Sequence, residues 1–395
     1  MRKAPRDLPE GVYRHGDGYQ VCVSHGFGND GKRLRDYYTF AAIAEAVKAR
    51  RRLLHLRDEG KLVERSNATL AQYIQNYLDN HAHVAPKTLE RYRGILRLQI
   101  APHIGGIKLR NFKLSHLKDF YATLAEPRAD GDKHKPGLSG ATIRQVHALV
   151  HLVLAYAVED EVLATNVAAK VKNKPKAQSA KVRPPDGDAL NRLLDSLRGT
   201  NLYTLVLLAA HTGLRRGELL GLRWADVSLN EQLLNVRQSL YELDDGTLGF
   251  KSPKSGEPRT VTLDASICAA LEAHRREQAR TGINALVFPA PEDRAVRAKD
   301  GGVKVVRAGE RWQPSALSGQ FKRAAKRAGL SMHFHELRHA MASLLLRKGA
   351  PMKLISDRLG HSTTAITDKI YAHLSDDHRR AAADMMGEAL GRRSS

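Results

Sequence analysis

Cysteine is nearly absent from this chain. Cys22 and Cys268 are the only two in 395 residues and lie far apart, so neither a disulfide framework nor a cysteine-based zinc site is expected. No apolar run approaches the ~18 residues that a membrane span requires. Residues Met1 to Gly11 are charged and proline-containing without an apolar core, which predicts no secretory signal. No internal repeat is evident. Acidic residues are scarce beside basic ones: 42 Asp and Glu face 64 Lys and Arg, for a formal net charge of +22. That excess suits a polyanion, with nucleic acid the first candidate and an anionic membrane the second. The cations run along the whole chain rather than in one tail, which predicts that every domain holds DNA. A cytoplasmic location is expected.

What is present reads as a multidomain α+β chain, long enough for two or three domains with substantial cores. Residues 1–65 predict a small β-sheet backed by one helix. Tyr19, Val21 and Val23 alternate with polar neighbours after a Gly16-Asp17-Gly18 turn, and an Ala- and Arg-rich helix spans about 41–56. Arg14, Tyr19, Lys32, Arg33 and Arg35 lie on this sheet. They suit groove reading and an ordinary solvated face equally well. Residues 67–170 predict about four helices, the first capped by Thr69, with a charged exposed loop over 126–136. Residues 171–185 form a basic linker whose Lys172, Lys174 and Lys176 suit a strap along a phosphate backbone. Residues 186–395 predict a mainly α domain with a small antiparallel sheet. Its apolar helix 202–211 breaks at Thr212-Gly213, and the charged stretch 291–312 has no legible structure.

The chemistry concentrates late in the chain. His335, Arg338 and His339 stand at i, i+3 and i+4, on one face of a predicted helix. A guanidinium and two imidazoles suit an anion, since Arg offers a fork of donors and His can donate or move a proton. Leu359-Gly360-His361-Ser362 follows, and then Tyr371 as a possible nucleophile. The same five residues spell H-E-x-x-H, a zinc-protease signature. Taken alone they most often form an exposed charged stripe. Earlier, Thr212-Gly-Leu-Arg215-Arg-Gly-Glu218-Leu and Pro253-Lys254-Ser255-Gly256 complete an ordered series.

This series resembles the tyrosine recombinase (phage integrase) family, arm-binding type. The resemblance implies that Arg215 and Arg338 clamp the non-bridging oxygens of a phosphodiester, with Glu218 fixing Arg215. It implies Lys254, in a mobile hairpin, as acid for the leaving 5′ oxygen, with Lys251 a rival. His335 would assist proton transfer at Tyr371, and His361 would donate to the phosphate. His339 reads as a packing residue. The implied reaction cuts and rejoins DNA through a covalent 3′-phosphotyrosine, with no cofactor and no metal. The implied partners are core and arm DNA attachment sites, a homotetramer on DNA, a DNA-bending host factor and an excisionase, with no membrane, in a bacterial host. The zinc reading explains His335, Glu336 and His339 alone, and Ala342 and Leu345 stand where the extended pattern needs Gly and His. A type IB topoisomerase shares the chemistry but not the arm-like domain. A non-catalytic DNA-binding protein gives no reason for the ordered set.

Overall fold

The computed structural model describes residues 8–27, 33–58, 68–130, 133–160, 162–172, 185–253, 257–278, 282–297 and 303–360. The chain divides into two units, residues 1–180 and 181–395. In the first, β1 (Val12–His15), β2 (Gly18–Phe27) and β3 (Arg33–Phe40) form an antiparallel sheet in that order. Helix α1 (Ile43–Asp58) covers one face. Val12 pairs with Val21 and Val21 with Tyr38, and side chains alternate along each strand. Val12, Val21, Val23, Tyr19 and Phe40 therefore share the face packed on Ala46. The expected groove-facing set is thereby divided. Tyr19 is half-buried in this core, and Arg14, opposite it, is exposed at the helix side. Arg35 lies on the outer face with Tyr13 and Tyr37, all three exposed. Arg33 opens β3, and Lys32 lies outside the described residues.

A separate helical bundle follows: α2 (Leu70–Asn80), α3 (Pro86–Ile95), α4 (Ala101–His103), α5 (Leu114–Ala125) and α6 (Gly140–Glu159). Thr69 caps α2 as expected. Its Oγ1 accepts from the Gln72 N–H at 3.3 Å while Gln72 Oε1 accepts from the Thr69 N–H at 2.9 Å; such a cap contributes about 0.5–2 kcal/mol. Between α3 and α4 the chain widens into a π-helical turn, Leu96–Ile100, which buries both its end residues. The stretch 126–136, expected as a loop, contains a short hairpin, β4 (Arg128–Asp130) with β5 (Lys133–Lys135).

Helix α6 bears on the expected lack of a membrane span. Among the described residues it is the one helix long and apolar enough to cross a membrane by length and composition. Its Ile143, Val146, Leu149, Val150, Val153 and Leu154 are instead the buried centre of the bundle.

The second unit opens with α7 (Gly187–Leu197), which the basic linker before it hid from the sequence reading. Asp186 caps it by accepting from the Ala189 N–H at 2.8 Å, and Leu190, Leu193 and Leu197 are buried. Then come α8 (Tyr203–Thr212), α9 (Arg216–Leu220), β6 (Val227–Ser228), β7 (Leu233–Val236), β8 (Ser239–Glu242), β9 (Leu248–Lys251) and β10 (Arg259–Thr262). Strands β10, β7 and β6 form one sheet in that order, and β8 pairs with β9. Helix α10 (Ala265–Glu277) precedes a hairpin, β11 (Arg294–Arg297) with β12 (Val303–Val306), which occupies the unassigned stretch and is rooted by buried Val306 and Trp312. Helices α11 (Pro314–Arg327), α12 (Glu336–Arg347) and α13 (Met352–Leu359) follow. One core joins Leu205 and Leu208 of α8 to Leu317 and Phe321 of α11 and Leu337 of α12. A second, Met341, Leu346, Ile355 and Leu359, binds α12 to α13. The multidomain α+β expectation holds. The predicted helix over 376–390 lies outside the described residues.

Candidate active site

The site begins where α8 stops. Thr212 is buried, its hydroxyl donating to the Leu208 carbonyl at 2.6 Å. Gly213 follows with φ +65°, where a Cβ would stand 2.3 Å from Met341 Cε. Only glycine fits this combination of left-handed backbone and close approach. The reversal delivers Arg215 to the N-cap of α9, one turn before Glu218.

Glu218 has a side chain with no exposed surface. Its Oε2 accepts from the Arg215 backbone N–H at 2.9 Å, and its Oε1 accepts from Arg215 Nη1 at 2.8 Å. The expected support of Arg215 by Glu218 is therefore built. Arg259, at the start of β10, donates to the same carboxylate from Nη1 at 3.1 Å and Nη2 at 2.7 Å. Burial works against the charge of Glu218, but the bonds and charge of Arg259, and then of Arg215, overcome it. The carboxyl lies below its ordinary range. Arg215 Nη2 also reaches the Gly360 carbonyl at 3.4 Å.

Arg338 approaches from α12 and is 3 % exposed. It donates to the carbonyls of Gly213 at 2.6 Å and Leu359 at 2.5 Å, tying the end of α8 to the end of α13. Arg358 adds bonds to the carbonyls of His211 at 3.0 Å and Thr262 at 3.2 Å. His335 is exposed at the N-cap of α12, and its ring meets that of His339 edge-on with centroids 5.2 Å apart. Burial first, and the Arg338 charge second, lower the pKa of His339, with Glu336 opposing. His339 is half-buried at the amino-terminal end of this helix. Glu336 turns back to accept from the His333 N–H at 2.6 Å, fastening the chain that enters the helix.

Arg215, Glu218 and Arg338 thus converge with Gly360, the residue before His361. Lys254, His361 and Tyr371 themselves lie outside the described residues. Lys251 is exposed on β9, its ammonium 5.9 Å from the Tyr241 ring centroid. Lys172 is exposed, while Lys174 and Lys176 also lie outside the described residues. The sequence reading missed Arg259 and Arg358. A signal for Arg259 existed: it alternates with Val261 and Leu263, both buried, so it belongs to the inward face of its strand.

Guanidinium groups gathered around one carboxylate and two helix ends leave a surplus of positive charge, an arrangement suited to an anion such as a phosphate. Comparison with known proteins gives the family. Residues 186–378 match the phage integrase family, and residues 69–125 match the phage integrase N-terminal SAM-like domain. A tyrosine recombinase XerC-like protein of Caldanaerobacter subterraneus is 26% identical over 388 residues, covering 94% of this chain and 96% of that protein. Prophage integrase IntR of Escherichia coli is 30% identical over 301 residues, covering 73% and 70%. Among solved structures, the Tn1549 transposon integrase in complex with transposon right end DNA aligns with TM-score 0.66 at 19% identity, covering 81% of this chain and 99% of that one. A lambda integrase tetramer bound to a Holliday junction aligns with TM-score 0.55 at 18% identity, covering 91% and 97%. The chain belongs to the phage integrase family of tyrosine recombinases, enzymes of DNA recombination. These matches lend no support to the zinc-protease, topoisomerase or non-catalytic readings.

Proposed function

We propose that the chain recombines DNA at specific attachment sites through Tyr371, integrating or excising a phage or other mobile element. The observation that carries this reading is the buried Glu218 holding the partly exposed Arg215 beside the Gly360 carbonyl, one residue before His361. The phenolic oxygen of Tyr371 attacks the scissile phosphorus, and the 5′ oxygen leaves. The phenol has an unperturbed pKa near ~10, so surrounding cations must favour its ionisation. His335 takes its proton, and Lys254 returns one to the departing 5′ oxygen. Arg215 and Arg338 hold the extra negative charge of the pentacoordinate state, and His361 donates to it. The 3′-phosphotyrosine conserves the bond for rejoining.

The amino-terminal sheet supports a two-site arrangement. Its outer face offers Tyr13, Tyr37 and Arg35, a strip suited to a DNA groove. Residues 1–65 would then bind arm sites, while 67–170, the basic linker 171–185 and 186–395 clamp the core site. The lambda integrase tetramer on a Holliday junction supports a homotetramer here. Carboxy-terminal apolar residues such as Met385 and Met386 would dock on a neighbouring protomer, with a host bending factor and an excisionase setting direction.

Incubation with a nicked cognate site tests the chemistry. The full chain forms a covalent protein–DNA adduct, and Tyr371→Phe abolishes it while DNA binding persists. An adduct that survives the substitution removes Tyr371 from the mechanism. In footprints of the full chain, Arg35→Ala weakens protection of flanking arms and spares the core; equal loss at both would defeat the two-site arrangement.

A further inference from the structure

The fully buried carboxylate of Glu218 is held by two guanidinium groups, and they hold it differently. Arg215 contributes one side-chain donor and its own backbone N–H. Arg259 contributes a fork, one donor to each oxygen, at 3.1 and 2.7 Å. The Arg259 side chain is 10% exposed and that of Arg215 is 23% exposed. Arg259 Nε also reaches the Arg358 carbonyl at 3.4 Å. Gly360 presses on the same side chain so closely that a Cβ there would stand 2.8 Å from Arg259 Cδ. Arg259 therefore touches α9, the end of α13 and its own strand at once, and its fork is fixed from several sides.

Charge arithmetic gives this a chemical meaning. Arg215 and Glu218 alone would sum to zero, and a guanidinium cancelled by a buried carboxylate is a poor host for further negative charge. With Arg259 added the trio carries +1, and its more exposed cation is Arg215. The fork also fixes the plane of the carboxylate, and that plane sets where the remaining Arg215 donors point.

We propose that Arg259 is a positioning residue for strand cleavage: its fork on Glu218 aims Arg215 and leaves it surplus positive charge for the scissile phosphate. This rests on the assignment of Arg215 to that phosphate. The competing role is a plain ion pair that fastens β10 to α9. That role would slow cleavage of every linkage alike.

The test uses the full chain, saturating nicked cognate DNA and the rate of covalent adduct formation. Two scissile linkages are compared: the ordinary phosphodiester and a methylphosphonate, in which an uncharged methyl replaces one non-bridging oxygen. Arg259→Met slows adduct formation on the phosphodiester by about 10–100-fold, the range for loss of a supporting partner. Arg259→Lys recovers part of that loss, because it keeps the charge without the fork. On the methylphosphonate both variants approach the wild-type rate for that linkage, since less charge awaits Arg215. Equal slowing on both linkages overturns the proposal, as does a wild-type rate for Arg259→Met on the phosphodiester. If Arg259→Met fails to fold, Arg259→Lys carries the same comparison, and linkage-independent slowing again overturns it. A wild-type chain that forms no adduct at all would instead defeat the Tyr371 assignment.

Discussion

The substitution Gly213→Ala isolates the turn on which the site is built. The added Cβ meets two penalties that add independently. The left-handed backbone at φ +65° costs an L-residue about 1–2 kcal/mol. The new atom would also lie 2.3 Å from Met341 Cε and 2.9 Å from Leu359 Cδ2; repacking a filled core of this kind costs about 1–3 kcal/mol. The expected loss is about 2–5 kcal/mol, a large part of the ~5–15 kcal/mol typical of a domain. Gly199 supplies the control: its φ is +73° but nothing lies within 4 Å of its Cβ position. Gly199→Ala should therefore lose only the backbone part, about 1–2 kcal/mol. Trp224 and Trp312 are the only tryptophans and both belong to the unit spanning 181–395, so tryptophan fluorescence during urea unfolding reads that unit alone. Adding Met341→Ala to Gly213→Ala should restore part of the difference, a favourable coupling between touching sites. If Gly213→Ala proves no more costly than Gly199→Ala, the packing argument at the α8 terminus is wrong.

Acid stability and metal dependence supply two further expectations. The folded pKa of Glu218 is lowered, so its contribution is present above the unfolded value near ~4.3 and is lost as pH falls through the lower folded value. Glu218→Gln should lose about 3–5 kcal/mol near neutrality, as for a broken buried pair, and the gap to wild type should shrink with acidification; a gap indifferent to pH would contradict the assignment. Cleavage of a nicked site should persist in excess EDTA, because the charge-stabilising work falls to Arg and Lys. Activity lost to EDTA and restored by zinc would revive the H-E-x-x-H reading.

Local rules made much of this architecture legible. The Thr69 cap, the helical spacing of Val146, Leu149, Val150, Val153 and Leu154, and the Thr-Gly break before Arg215 all follow from near neighbours. The pairing of Glu218 with Arg215 is likewise three residues long in sequence. Arg259 reaches the same carboxylate from 41 residues away, and no local period selects one partner among many arginines. The sheet face of Tyr19 depended on register: one residue decides between groove and core. Hairpin β11–β12 escaped notice because its strands, Arg294–Arg297 and Val303–Val306, are too short to show a clear apolar period within their charged surroundings.

The clamp formed by Arg338 and Arg358 fixes where the chain reaches Gly360. Those two side chains and Arg215 hold the carbonyls of Leu359, His211 and Gly360, so the polypeptide leaves this arginine cluster at a fixed point. Eleven peptide units then separate Gly360 from Tyr371. At ~3.3–3.6 Å for each residue, the Cα of Tyr371 lies no more than about 40 Å from that point. The anchor thus sets an upper bound on which DNA strand Tyr371, as the proposed nucleophile, can reach.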